Sequence, residues 1–133
     1  MRRFYREEGN PFRATRAREA LLGLVRDPAL GRVWLIRSGQ ADVGYVVLTL
    51  GYSLEFLGRD AFVDELYVLP SHRGRGLGKQ AMALLGKRCR ALGVHALHLE
   101  VAQRNRTAQG LYRRFGFEKR GYFLMTRGIR GAR

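Results

Sequence analysis

The sequence predicts a mixed α/β fold in which a mostly antiparallel central sheet is flanked by helices. Three observations predict it. Two β-rich runs, RVWLIR and VGYVVLTL, are separated by a short polar turn, which is a hairpin pattern. From residue 61 onward, strand-like and helix-like stretches alternate as β-α-β-α-β. Between the strand patterns at 61–69 and 95–102, apolar positions recur at helical spacing.

Taken in order, Asn10-Pro11 reads as a helix start, with asparagine as the cap and proline at the first helical position. A helix from Pro11 to Arg26 would bury Leu21, Leu22 and Val25 and stop at Asp27-Pro28. Arg32–Arg37 is a short strand, Ser38-Gly39-Gln40 the turn, and Val43–Leu50 the returning strand. Tyr52, Leu54 and Phe56 alternate with Ser53 and Glu55, compatible with the strand continuing before a turn at Gly58. Ala61–Leu69 is the next strand, ended by Pro70. Leu77–Leu92 carries apolar residues at 77, 81, 84, 85 and 92 and is closed by Gly93, so it reads as an amphipathic helix. His95–Ala102 is a strand, Thr107–Phe115 a short helix ended by Gly116, and Phe117–Arg127 holds one or two final strands.

The 133 residues form a single expected domain, large enough to bury a core without disulfides. No apolar run approaches the roughly 20 residues of a membrane span, so no membrane partner is expected. The lone Cys89 cannot pair internally, which fits a reducing, cytoplasmic setting. His72, His95 and His98 match no zinc spacing, and no metal is expected. The 25 basic against 11 acidic residues give a net charge of +14, which favours polyanionic ligands: a coenzyme with phosphates, a nucleic acid or an acidic protein.

The sharpest local feature is Arg73-Gly74-Arg75-Gly76-Leu77-Gly78-Lys79, between a strand and an amphipathic helix. Glycines there let a ligand approach the backbone and let successive N–H groups converge. The helix beyond adds its unpaired N-terminal donors and the positive end of its dipole. Arg73, Arg75 and Lys79 supply full charges, so the loop reads as a phosphate cradle. A dinucleotide fingerprint would need glycine where Lys79 stands, and a P-loop would need Ser or Thr where Gln80 stands. Both alternatives fail on spacing.

Arg73, Gly76 and Gly78 match the Q/R-x-x-G-x-G/A signature of the GNAT acetyltransferases, and Leu99-Glu100-Val101, Asn105, Ala108, Tyr112 and Phe115-Gly116-Phe117 follow at the family's distance. From about Gly31 to Thr126 the chain resembles that family. The resemblance implies acetyl-CoA as co-substrate and two strands, corresponding to Ala61–Leu69 and His95–Ala102 (fourth and fifth in the family's order), that splay to admit pantetheine. It implies main-chain contacts from Leu66, Tyr67 and Val68, with the Val68 N–H on the acetyl carbonyl, and pyrophosphate on the amides from Gly74 through Leu77 to Lys79. It further implies a cofactor contact from Asn105, Tyr112 as the acid that protonates the thiolate, and Glu100 or Glu65 as the base. Ordinary strand alternation points Asp64 opposite to Glu65, and a bulge would change that. Tyr112 could equally be core, and either glutamate could simply partner an arginine.

The acceptor implied is a primary amine: a polyamine, an aminoglycoside-like small molecule or a protein amine. Two other classes stay open, a basic nucleic-acid-binding protein ending in the Arg-rich stretch Arg127–Arg133 and a CoA-binding regulatory domain without turnover, and a homodimer is compatible with all three. No helix-turn-helix, zinc-finger or RNP-like pattern supports the nucleic-acid reading. The family usually opens with a strand before its first helix, and residues 1–8 scarcely leave room for one.

Overall fold

A computed structural model describes residues 1–7, 9 and 13–130. Its elements are α1 (Arg2–Glu7), α2 (Ala14–Arg26), β1 (Gly31–Ser38), β2 (Ala41–Ser53), β3 (Gly58–Val68), a 3-10 turn (Pro70–His72), α3 (Leu77–Ala91), β4 (Ala96–Leu99) and α4 (Arg106–Arg114). The sheet runs β1-β2-β3-β4. Its first three strands are antiparallel, and β4 joins β3 in parallel through the α3 crossover.

Local chemistry sets the turns. The Asp27 carboxylate accepts from the Ala29 amide at 2.9 Å, ending the run of α2. The Phe56 amide donates to the Ser53 hydroxyl at 3.3 Å where β2 turns into β3. Within the sheet, a Cβ on Gly44 would lie 2.2 Å from the Tyr67 carbonyl oxygen, so only glycine lets β2 approach β3 there.

The core lies between the sheet and α3. Val46, Leu48, Ala61 and Val63 meet Met82, Leu85 and Cys89, with Leu66, Leu97, Leu99, Tyr112 and Phe117 packed around them. Burial of Met82, Leu85 and Cys89 follows the helical spacing, whereas Leu84 stays 48% exposed. One irregularity matters for chemistry. Val47 faces Glu65 while Leu48 faces Val63, so Asp64 is an extra residue in β3, a β-bulge. The bulge resets the alternation: Val63 and Leu66 serve the α3 core, while Glu65 turns to the opposite face, towards α1.

Three sequence expectations need correction or restriction. The final strands expected in Phe117–Arg127 are absent, since residues 117–130 carry no helix or strand. The physical reason is visible in Arg120, which pairs with Glu55 and lies over the rings of Phe56 and Tyr122, at 5.1 and 5.6 Å from their centroids. Side chains hold this tail, and its Tyr122–Met125 run is apolar without the period of two that a half-buried strand requires. Val25, expected in the core, is 61% exposed, and none of α2 is buried. The Asn10-Pro11 helix start lies outside the described residues, while residues 2–7, where an opening strand had scant room, form α1.

Candidate active site

The glycine-rich loop leaves β3 through the 3-10 turn and enters α3 with no side chain capping the helix. Gly74 and Gly76 have φ of +77° and +80°, a left-handed backbone that strains any other residue. A Cβ at either position would meet nothing within 4 Å, so the glycines border open space. Arg75 and Lys79 are exposed beside this cup, Leu77 opens the helix, and Gly78 lies against Leu111 of α4. The first amides of α3 thus begin at an exposed, uncapped glycine turn flanked by cations, which fits an anion such as a diphosphate.

Next to the cup the β3–β4 ladder is short. Asp60–Val63 pair with Ala96–Leu99, and pairing stops there. Leu66, Tyr67 and Val68 are paired on their β2 side, opposite Val46, Tyr45 and Gly44.

Arg73 does more than flank the cup. Its Nε donates to the Val68 carbonyl at 2.8 Å, its guanidinium bonds Glu7 at 2.8 Å, and it lies over the Tyr67 ring. The Tyr67 hydroxyl donates to the same Glu7 carboxylate at 2.8 Å. Arg73, and then Tyr67, hold the Glu7 carboxyl below its ordinary range. Glu7 therefore joins α1 to the first residue of the phosphate signature across 66 positions of sequence.

Beneath α1 lies the one buried charged side chain among the described residues, Glu65, at 6% exposure. Tyr45 donates to its Oε1 at 2.7 Å and Tyr5 to its Oε2 at 3.1 Å. Phe4 stands edge-on to Tyr67, and Tyr45 tilts against Tyr67, completing an aromatic surround. Burial pushes the Glu65 carboxyl up, partly offset by the two tyrosine donors. Burial and the Glu65 bond push the Tyr45 phenol up in turn. The Met1 amine feels the charge of Glu65 and is pushed down by its own burial.

The remaining candidates lie along α4 and just past the end of β4. Tyr112, half-buried on α4, packs against the core and meets Phe117 edge-on at 5.9 Å. Asn105 caps α4, its side chain accepting from the Ala108 amide at 3.1 Å. Glu100, exposed after β4, lines one groove with Tyr112; Glu65 does not border it.

A family model described as Acetyltransferase (GNAT) family matches residues 1–117. The chain belongs to the GNAT acetyltransferase family. Membership brings acetyl-CoA as the family's co-substrate, and the open glycine cup is compatible with its pyrophosphate. An L-methionine sulfoximine/L-methionine sulfone acetyltransferase of Pseudomonas aeruginosa is 35% identical over 80% of this chain and 56% of its own length. An aminoalkylphosphonate N-acetyltransferase of Salmonella typhimurium is 27% identical over 84% of this chain and 71% of its own. Among solved structures, an integron cassette protein from a salt-marsh metagenome superposes with a TM-score of 0.84 and 41% identity, covering 96% of this chain and 78% of that one. The chain spans about half the length of the first curated relatives it matches, 55% and 56%.

The sequence singles out the glycine loop and the glutamates of this GNAT chain but not Tyr5, Tyr45 or Glu7. Tyr45 carried a usable signal, since it lies two positions before Val47 on β2 and so shares the Glu65 face. Tyr5 and Glu7 carried none, because only the docking of α1 brings them to residues 60 and 66 positions away. No helix among the described residues is long and apolar enough to cross a membrane.

Proposed function

We propose that this chain transfers acetyl from acetyl-CoA to a primary amine, by direct attack while both are bound. The observation that carries the reading is the open, glycine-lined cup at the start of α3, beside a β3 segment that β4 leaves unpaired beyond Val63. In this reading the amides from Gly74 to Lys79 hold the pyrophosphate, aided by Arg73 and Arg75. The main chain of Leu66, Tyr67 and Val68 receives pantetheine as a strand would, and the Val68 N–H bonds the acetyl oxygen as it gains charge. The Asn105 side chain keeps its cap and offers its remaining amide group to the coenzyme.

Glu65 takes the base role. A carboxyl whose proton affinity is raised by burial is better matched to neutral pH than an ordinary one. One proton passes from the acceptor ammonium to Glu65, the N–C bond forms, the C–S bond breaks, and the thiolate takes its proton from Tyr112. The second nitrogen proton restores the Tyr112 phenol. Glu100 is the second reading for the base, favoured by the groove it shares with Tyr112. Relatives named for amino-acid analogues and aminoalkylphosphonates support a small primary amine as acceptor, and a buried carboxylate among aromatic rings suits an ammonium. A single-domain, cytoplasmic enzyme is the matching cellular picture.

The test is thiol release from acetyl-CoA with methionine sulfoximine, 2-aminoethylphosphonate, thialysine and putrescine offered in turn. At least one should be acetylated. Tyr112→Phe should lower kcat about 100- to 10,000-fold while leaving acetyl-CoA affinity within twofold, roughly the scatter of such a comparison. Absence of acetyl-CoA binding would overturn the reading, and unchanged turnover in the variant would remove Tyr112 from it.

A further inference from the structure

The two hydroxyls on Glu65 are mounted differently. Tyr45 stands in the middle of β2, paired with Tyr67 in the sheet, and makes the shorter bond, 2.7 Å to Oε1. Tyr5 stands on α1, a six-residue helix with no buried residue, and makes the longer bond, 3.1 Å to Oε2. A helix that short is not stable by itself. Its hold on the sheet includes the Tyr5–Glu65 bond and the bonds of Glu7 to Tyr67 and Arg73. The titratable groups around the carboxylate are Tyr5 from α1 and the Met1 amine just before it, Tyr45 from β2, and Asp64 and Tyr67 from its own strand.

We propose that Tyr45 is a positioning residue for the Glu65 carboxylate, and that the Tyr5 hydroxyl holds the place the acceptor amine takes on Oε2. The proposal rests on the reading of Glu65 as the base. A buried carboxylate needs donors on both oxygens, or it becomes costly to ionise. Removing Tyr5 alone would leave Oε2 unsatisfied, but an ammonium N–H is a donor of the same kind, so the exchange keeps the oxygen paired. Tyr45, in mid-strand with its ring against Tyr67, is held more firmly in place. It fixes Oε1 while Oε2 turns over. The Phe4, Tyr5 and Tyr67 rings around this point give an ammonium further attraction through their π faces. The acceptor that follows is a primary ammonium able to reach past α1.

The experiment compares Tyr45→Phe and Tyr5→Phe with the parent in two readouts. One is the titration of Glu65 followed by NMR in protein carrying 13C-carboxyl glutamate. The other is kcat/KM for thiol release against pH, with putrescine as amine. Tyr45→Phe removes a donor from the ionised form, so the Glu65 titration and the acidic limb of kcat/KM should both move to higher pH, by about one pH unit. Tyr5→Phe removes the hydroxyl the amine displaces, so KM for the amine should fall, by about 2- to 10-fold. Addition of putrescine should move the Glu65 carboxyl resonance in the parent. A fixed Glu65 titration in Tyr45→Phe, or a KM that rises in Tyr5→Phe, would overturn the proposal. Thermal melting and acetyl-CoA binding confirm that each variant is folded. If putrescine is not turned over, the kinetic arm uses whichever of the four amines is acetylated; if none is while acetyl-CoA binds, the acetyl-transfer reading is what fails, and the NMR titration still decides the role of Tyr45.

Discussion

The glycine loop proposed for the coenzyme and the Glu65 surroundings proposed for the acceptor both adjoin β3 yet are built on opposite plans. Around Gly74 and Gly76 an added Cβ would meet nothing within 4 Å among the described residues beyond the chain neighbours, the helix start is uncapped, and the neighbouring charges are exposed. Around Glu65 the carboxylate is buried, both oxygens are bonded, and aromatic rings close the space. The first region is made of backbone and emptiness, which suits a ligand carrying its own oxygens. The second is made of satisfied side chains, which suits a group that must hold and pass one proton. The two are joined through Arg73 and Glu7. A backbone site tolerates side-chain change and fails on added bulk; a side-chain site does the reverse.

Gly76→Val tests the first half and carries the largest expected effect. Valine at φ +80° costs about 1–2 kcal/mol in backbone strain, yet its Cβ meets nothing, so the fold should survive. The branched side chain would fill the cup and block two or so charge-assisted bonds. Acetyl-CoA affinity should fall on the order of 100-fold, at ~1.5 kcal/mol per bond, as isothermal titration would read it. An affinity within threefold of the parent would show that the cup is not where the phosphates bind.

Glu7→Gln tests the joint. Arg73 spends part of its charge on Glu7, through an exposed pair. Neutralising that carboxylate frees Arg73 for the pyrophosphate while glutamine can still accept from Tyr67. Acetyl-CoA should bind about 2- to 5-fold tighter, the scale of an exposed ion pair, with the gain shrinking at high salt. Weaker binding would mean that Glu7 orients Arg73 for the coenzyme instead of competing with it.

The same contrast explains what the sequence revealed. The glycine turn into α3 was legible because it lies within seven consecutive residues and needs only glycine dihedrals and a helix start. The β1–β2 hairpin and α3 were legible for the same reason, through period and punctuation. The surroundings of Glu65 were not, because Tyr5 and Tyr45 stand 60 and 20 positions away and no local pattern announces them. The bulge at Asp64 was raised as an alternative but could not be located, since an inserted residue leaves the composition of a strand unchanged. The tail was misjudged for the complementary reason: β-propensity in Phe117–Arg127 was read as strands, but propensity yields a strand only where an edge is paired, and Arg120 anchors this segment by its side chain.

Glu65→Gln gives the smallest expected effect, and it reads the acceptor side without any substrate. Burial raises the proton affinity of Glu65 in the folded chain above that of the unfolded one. Between the two pKa values the folded state therefore binds more protons than the unfolded state, and stability falls as pH rises. Stability from this group is fully present below the unfolded pKa, near 4.3 by the ordinary value, and is lost through the folded pKa. Glutamine keeps the shape and the acceptor oxygen but cannot ionise. Its melting temperature should exceed the parent's at pH 7–8, and the advantage should vanish by about pH 4, where the parent carries the proton as well. The gain is bounded because one amide nitrogen then faces a tyrosine hydroxyl, which must rotate to accept. A variant less stable than the parent at every pH would mean that the two tyrosine bonds outweigh the burial of the charge. Glu65 would then be a structural anchor for α1, and Glu100 would be left as the base to examine.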